Sequence, residues 1–182
     1  MDIKKVQEQA YNTAVKRGQY QARVSKNYCI SRILEEVYEM IGAYVKHNIA
    51  DREYFEFATN RKWFKMPFGK AYKKYIKDTV QDEFADILIT IASISHQADI
   101  ELTGDVQGLE WKRNFNKHSI HENGFAFAKN ATREYRKGGI PIEFSERLNF
   151  LYVYTLKWCE SLNIDIDYYV DLKLKYNEHR RT

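Results

Sequence analysis

The sequence predicts an all-α protein whose helices form a single bundle. Only 2 Pro and 8 Gly occur among the 182 residues, which leaves too few turn formers for the many short strands of a β-sandwich or barrel. Apolar residues recur at helical spacing along most of the chain, and hydrophobic residues make up 44% of it, enough for an ordinary core. From the length we expect one domain over residues 1–182.

Two helices are predicted in the first 47 residues. Apolar residues of the first recur at helical spacing from Ile3 to Ala14, and Gly18 ends it. The second covers about 27–47, and no proline interrupts it. Its apolar stripe consists of Ile30, Ile33, Leu34, Val37, Ile41, Tyr44 and Val45.

The next two segments differ in character. Residues 51–78 are rich in aromatic and basic side chains, and Pro67 with Gly69 predicts a break between two short helical pieces, which we interpret as an insertion. Residues 79–97 predict a third strong helix. The apolar face of this helix consists of Phe84, Ile87, Leu88, Ile91 and Ile94.

The C-terminal part begins with a stretch that predicts no element, because residues 103–124 lack clean periodicity. A short helix is predicted from Phe125 to Lys137, ended by Gly138, and a long one from Glu143 to Leu162. Asp165 can cap a final helix. Its inward stripe would be Ile166, Val170, Lys173 and Asn177, and two polar residues are unusual in a plain core helix.

Charge and cysteine content narrow the function classes. The 29 Lys and Arg against 25 Asp and Glu give a net charge of +4, a mild excess that names no partner. No segment reaches the ~18 consecutive apolar residues of a membrane span, and the first residues lack the apolar run of a signal peptide. We therefore expect a cytoplasmic protein without membrane association. Cys29 and Cys159 lie in apolar stretches and are expected to be buried thiols.

Two pairs of acidic residues stand out on the two strongest helices. Glu36 and Glu39 lie at i and i+3 on one, and Glu83 and Asp86 lie at i and i+3 on the other, each pair at the same edge of its own apolar stripe. If the stripes pack face to face, four carboxylates converge, and a divalent cation such as Mg²⁺ would relieve their repulsion. Glu35 points away from the stripe. The alternative is that both pairs are ordinary surface acids, since a single such pattern is common on helices.

At these residues the sequence resembles the MazG-like all-α nucleoside triphosphate pyrophosphohydrolases, a superfamily that includes the dimeric dUTPases. Their signature is EExxE followed downstream by ExxD, here Glu35, Glu36 and Glu39 and then Glu83 and Asp86. The closing run IDIDYYVDLKLKYNEHR also resembles that of MazG-like members. The matching residues there are Lys173, Tyr176, Asn177 and Arg180. The separation between the two acidic motifs is longer than in the compact members, and the resemblance therefore implies insertions at about 51–78 and 103–140.

The resemblance implies a helical bundle of the MazG-like type that hydrolyses a nucleoside triphosphate, ribo- or deoxyribo-, to the monophosphate and pyrophosphate. A metal-activated water would attack, with Mg²⁺ as cofactor and Mn²⁺ as its substitute. The implied metal ligands are Glu36, Glu39, Glu83 and Asp86, of which Glu36 and Glu39 are catalytic and Glu39 is our choice of base. The implied substrate-binding residues are Lys173, Tyr176, Asn177 and Arg180. The resemblance also implies a homodimer or homotetramer.

Two other functions stay open on the sequence alone. The segment 61–77 mixes basic and aromatic residues in a way that suits a single-stranded nucleic acid. Its members are Arg61, Lys62, Trp63, Phe64, Lys65, Phe68, Lys70, Tyr72, Lys73, Lys74, Tyr75 and Lys77. Alternatively, its aromatic side chains pack onto the bundle while its lysines face water, an arrangement we favour. A non-catalytic bundle that keeps the acids without turnover is the remaining alternative.

Overall fold

A computed structural model describes most of the chain as helices. The described residues are 1–19, 25–61, 65–104, 114–136 and 139–180. Within these ranges the helices are α1 (Ile3–Lys16), α2 (Lys26–Val45), α3 (Arg52–Asn60), α4 (Phe68–Tyr75), α5 (Val80–Gln97), α6 (Ile120–Thr132), α7 (Phe144–Ser161) and α8 (Ile166–His179). The same ranges contain no β-strand, and only one isolated bridge joins Tyr135 to Pro141. The all-α prediction is confirmed.

Helix α5 lies at the centre of the bundle and contacts α1, α2, α7 and α8. It is buried on nearly every side, and its predicted apolar face is fully inside, from Phe84 to Ile94. An element covered on all sides must find partners for its polar groups among its neighbours, because water does not reach them. The acidic first turn of α5 is therefore the place where the neighbouring helices have to supply charge or hydrogen bonds.

The helices begin at side chains that cap their free backbone N–H groups. Ser25 accepts from the N–H of Tyr28, and Thr79 accepts from the N–H of Asp82. Asp165 caps α8 as predicted, by accepting from the N–H of Tyr168. Each such cap stabilises its helix by roughly 1 kcal/mol.

Helix α6 differs from the short helix predicted between Phe125 and Lys137, since it runs from Ile120 to Thr132. A capping box formed by Ser119 and Glu122 fixes the earlier start. Gly124 lies inside this helix at a point that α2 approaches closely, since a Cβ at this position would meet Cδ1 of Ile41 at 2.6 Å. Lys137 and Gly138 of the predicted end lie outside the described residues.

The buried face of α2 is rotated slightly from the predicted stripe. Tyr44 and Val45 were expected inside but are 41% and 56% exposed. Met40 and Ala43 are buried in their place. The buried residues are Cys29, Ile30, Ile33, Glu36, Val37, Met40 and Ala43.

The segment 51–78, which was predicted as an insertion, packs onto the bundle where its helix α4 contacts α8. Phe55 and Tyr72 are buried, and the Tyr72 ring stacks on that of Tyr176 with centroids 4.2 Å apart. The two cysteines are buried free thiols, as expected. Among the helices described above, none is both long enough and apolar enough to cross a membrane.

Candidate active site

Three carboxylates converge where α2 meets the first turn of α5. Oxygen atoms of Glu36, Glu39 and Glu83 all lie within 4.8 Å of one another. Glu36 and Glu83 are 8% and 5% exposed, whereas Glu39 is exposed to solvent. The helical period places Glu36 and Glu39 one turn apart on one helix, and packing of α2 against α5 adds Glu83. We refer to these three residues as the acidic cluster.

The acidic cluster lacks the charge compensation that three carboxylates need. Burial, together with the charge of Asp86, raises the pKa of Glu83 to about 8 and that of Glu36 to about 7. Arg32 donates a hydrogen bond to Glu36 over 2.9 Å and offsets only part of this shift. One oxygen of Glu83, Oε2, is buried and has no hydrogen-bond partner among the described residues. An orphaned carboxylate oxygen beside two more carboxylates fits a hard divalent cation, since Mg²⁺ prefers oxygen ligands.

Asp86, the fourth predicted ligand, lies outside this group of three and has a different partner. Its carboxylate accepts a hydrogen bond from the ammonium of Lys173 on α8. Lys173 also donates to Asp82 over 3.0 Å, and its side chain is only 8% exposed. Burial lowers the pKa of Lys173, but the charges of Asp86 and Asp82 outweigh burial and raise it above its ordinary value. The structure therefore brings together three of the four predicted ligands and pairs the fourth with a lysine.

This pairing bears on the role predicted for Lys173, because the two carboxylates accept from two of its three N–H donors, while the side chain also lines the cavity described below. The ammonium was expected to bind phosphate, but two carboxylates of the protein already neutralise it. An ammonium has only three donors and no acceptor. The geometry makes Lys173 a residue that holds Asp86 and Asp82 in place.

Asp82 is a site residue that the sequence reasoning missed. It is fully buried and accepts from the hydroxyl of Tyr72, from Lys173 and from the backbone N–H of Asp78, the last over 2.9 Å. The available signal was Lys173 itself, because a lysine on the buried stripe of α8 requires a buried acid as partner. Nothing in the sequence indicated which of the acids near the start of α5 this would be.

The remaining predicted substrate-binding residues divide between a cavity and the core. Asn177 and Arg180 line a cavity of about 190 Å³ that Glu36 and Asp86 also line. Tyr176 was predicted to bind substrate, but it is buried and stacks on Tyr72. Successive residues of a helix point in directions ~100° apart. Because Asn177 faces the cavity, Tyr176 is directed toward α4 instead.

No protein-family model, curated protein or solved structure matches this chain. The residues of the site and their geometry therefore carry the functional proposal.

The basic aromatic segment 61–77 has an arrangement closer to packing than to a nucleic-acid platform. Phe68 and Tyr75 are half-buried and Tyr72 is fully buried, whereas the lysines at 65, 70, 73 and 74 are exposed. Stacking on bases requires accessible aromatic faces, which these three rings direct largely into the protein. Lys62, Trp63 and Phe64 lie outside the described residues.

Proposed function

We propose that this chain is a MazG-like nucleoside triphosphate pyrophosphohydrolase, which converts a ribo- or deoxyribonucleoside triphosphate to the monophosphate and pyrophosphate. The observation that supports this most is the convergence of Glu36, Glu39 and Glu83, with an unpartnered oxygen on Glu83. The three residues belong to the EExxE and ExxD motifs on which the resemblance rests. We further propose a cytoplasmic location and a homodimer or homotetramer.

The acidic cluster would hold Mg²⁺, with Mn²⁺ as a substitute. When bound, such an ion neutralises phosphate oxygens and lowers the pKa of a water molecule. Glu36 and Glu83 are buried and fixed by the packing of α2 on α5, so they suit the role of ligands. The charge of Asp86 raises the pKa of Glu83 in the cluster, and a hydrogen bond from Lys173 holds Asp86 in position.

Glu39 is the member of the cluster that water reaches directly, because it alone is exposed. A carboxylate oxygen of Glu39 would accept the proton of the attacking water. The water oxygen would form a bond to the α- or β-phosphorus. The bond from that phosphorus to the oxygen that bridges the α- and β-phosphates would break. The bridging oxygen keeps the electron pair, and the products are the monophosphate and pyrophosphate.

The test is a pyrophosphate-release assay over all ribo- and deoxyribonucleoside triphosphates, with Mg²⁺ and with Mn²⁺. Replacing Glu36 with Gln keeps the shape of the side chain but weakens a metal ligand, so turnover should fall by at least ~100-fold. Glu35→Gln is the matched control, because Glu35 does not belong to the acidic cluster and its side chain is 59% exposed. It should change turnover by no more than about twofold. A Glu36→Gln variant as active as the parent, or a parent that releases no pyrophosphate from any of these substrates, would contradict the proposal.

A further inference from the structure

The cavity beside the acidic cluster is lined by two guanidinium groups that have no carboxylate partner among the described residues. Arg17 follows the last residue of α1 and Arg180 follows the last residue of α8, and both are exposed and line the cavity. Within the described part of the chain, no carboxylate lies at ion-pair distance from either, whereas Arg32 in the same wall is paired with Glu35 and Glu36. A paired arginine uses some of its N–H donors and its charge on a carboxylate of the protein. Unpaired ones are available to bind an anion, and guanidinium groups suit phosphate.

The same cavity has buried polar groups of a different kind. The hydroxyl oxygen of Ser93 and the amide oxygen of Asn177 are buried and have no hydrogen-bond partner among the described residues. Both residues line the cavity. Leaving such groups unpaired destabilises a protein, so a native structure that keeps them has a use for them. An amide oxygen can only accept, and it therefore requires a ligand with an O–H or N–H donor, which an ionised phosphate does not offer.

These two sets of residues require two chemically different parts of one ligand. The guanidinium groups require an anion, whereas the amide oxygen of Asn177 requires a hydrogen-bond donor. The hydroxyl of Ser93 is able to accept a hydrogen bond from that same neutral part of the ligand, and it can also donate one. Glu36 and Asp86 line the same cavity, so the ligand would lie beside the acidic cluster. A nucleoside triphosphate has both parts, since its sugar and base carry hydroxyl and N–H groups and its phosphates carry the charge.

We propose that the cavity is the substrate-binding cleft, in which Arg17 and Arg180 bind the phosphates while Ser93 and Asn177 accept hydrogen bonds from the sugar or base. Arg17 and Ser93 lie outside the two acidic motifs and outside the closing run on which the resemblance rests. The naming of a nucleoside triphosphate rests on the proposed function. The division of the lining into residues that bind phosphate and residues that bind the nucleoside rests on the chemistry of the lining residues themselves.

The test is a calorimetric titration that distinguishes the binding of phosphate in the cleft from the binding of the nucleoside. One titrant is inorganic tripolyphosphate, which has only the anionic part, and the other is the tightest-binding of the four ribo- and four deoxyribonucleoside triphosphates. Titrations are run with the metal removed by EDTA and again with Ca²⁺. Arg17→Ala should weaken the binding of both titrants by about tenfold or more. Lys16→Ala is the matched control, because it removes the same charge one residue away, at an exposed position outside the cavity lining, and should change both by no more than about twofold.

Ser93→Ala tests the binding of the nucleoside and should leave the fold intact, since the hydroxyl that it removes has no hydrogen-bond partner among the described residues. It should weaken nucleoside triphosphate binding by about tenfold and leave tripolyphosphate binding unchanged. The cleft assignment is overturned if Arg17→Ala behaves like Lys16→Ala, if Ser93→Ala weakens both titrants equally or neither, or if the parent binds neither titrant under either condition. These readouts need no turnover. A protein with the expected binding pattern and no pyrophosphate release would refute the proposed reaction alone, and the reverse result would refute the cleft alone.

Discussion

Removing the charge of Glu83 should stabilise the metal-free protein at alkaline pH. Burial, Asp86 and Asp82 raise the pKa of Glu83 from 4.5 to about 8. At ~1.4 kcal/mol for each pKa unit, ionising this side chain in the folded state costs up to about 5 kcal/mol more than in the unfolded chain. Replacing it with Gln removes this cost but buries an amide without a full set of partners, which costs about 1–3 kcal/mol. The net expectation for Glu83→Gln is a gain of about 2–4 kcal/mol in the free energy of unfolding.

The pH dependence follows from the sign of the shift. A carboxyl group whose pKa is raised on folding holds its proton more tightly in the folded state, so the folded parent is favoured at low pH and loses stability as the pH rises from about 4.5 to about 8. The difference between Glu83→Gln and the parent should therefore be large at pH 8 and small at pH 5. For a chain of this length the difference at pH 8 corresponds to a rise of about 4–16 °C in Tm.

The assay is thermal unfolding in EDTA at both pH values, with Mg²⁺ added back at pH 8. The ion should raise the Tm of the parent more than that of the variant, because only the parent keeps all three ligands. Glu35→Gln should stay within about 0.5 kcal/mol of the parent at both pH values, because Glu35 is exposed. This account of the cluster would be refuted by a Glu83→Gln variant that is less stable than the parent at pH 8. It would also be refuted if the Tm of the variant differed from that of the parent by the same amount at pH 5 and at pH 8.

Three further predictions concern the rest of the molecule. Lys173→Met leaves Asp82 and Asp86 without their buried counter-charge and should lower the free energy of unfolding by about 3–5 kcal/mol in urea titrations; a change below about 1 kcal/mol would argue against the buried network. Ser119→Ala removes the cap of α6 and should cost roughly 1 kcal/mol in the same measurement, with an unchanged value contradicting the observed helix start. Light scattering should return a dimer or tetramer, since short bundles gain from pairing chains, and a particle of monomer mass would refute that prediction.

The sequence by itself determined the features that depend on one helix at a time. The juxtaposition of Glu36 with Glu39 and the outward direction of Glu35 follow from 3.6 residues per turn, and the structure has both. The buried stripe of α8, including Lys173 and Asn177, was predictable for the same reason. Periodicity was reliable here because the relation between residues i, i+3 and i+4 is fixed by covalent geometry and backbone hydrogen bonds, whatever the helix packs against.

Only the tertiary structure decided which groups from different helices meet. The axial offset and rotation of α8 against α5 pair Lys173 with Asp82 and Asp86, so that Asp86 has a lysine as its partner instead of lying in the acidic cluster. The close approach of α2 to α6 at Gly124, where a Cβ would meet Ile41, likewise could not be read from the sequence, which predicted no element over residues 103–124. Such offsets are set by the packing of side chains far apart in sequence, and a shift of one residue turns a side chain by ~100°. For that reason the sequence indicated the acids, and the fold decided which of them lack a cationic partner.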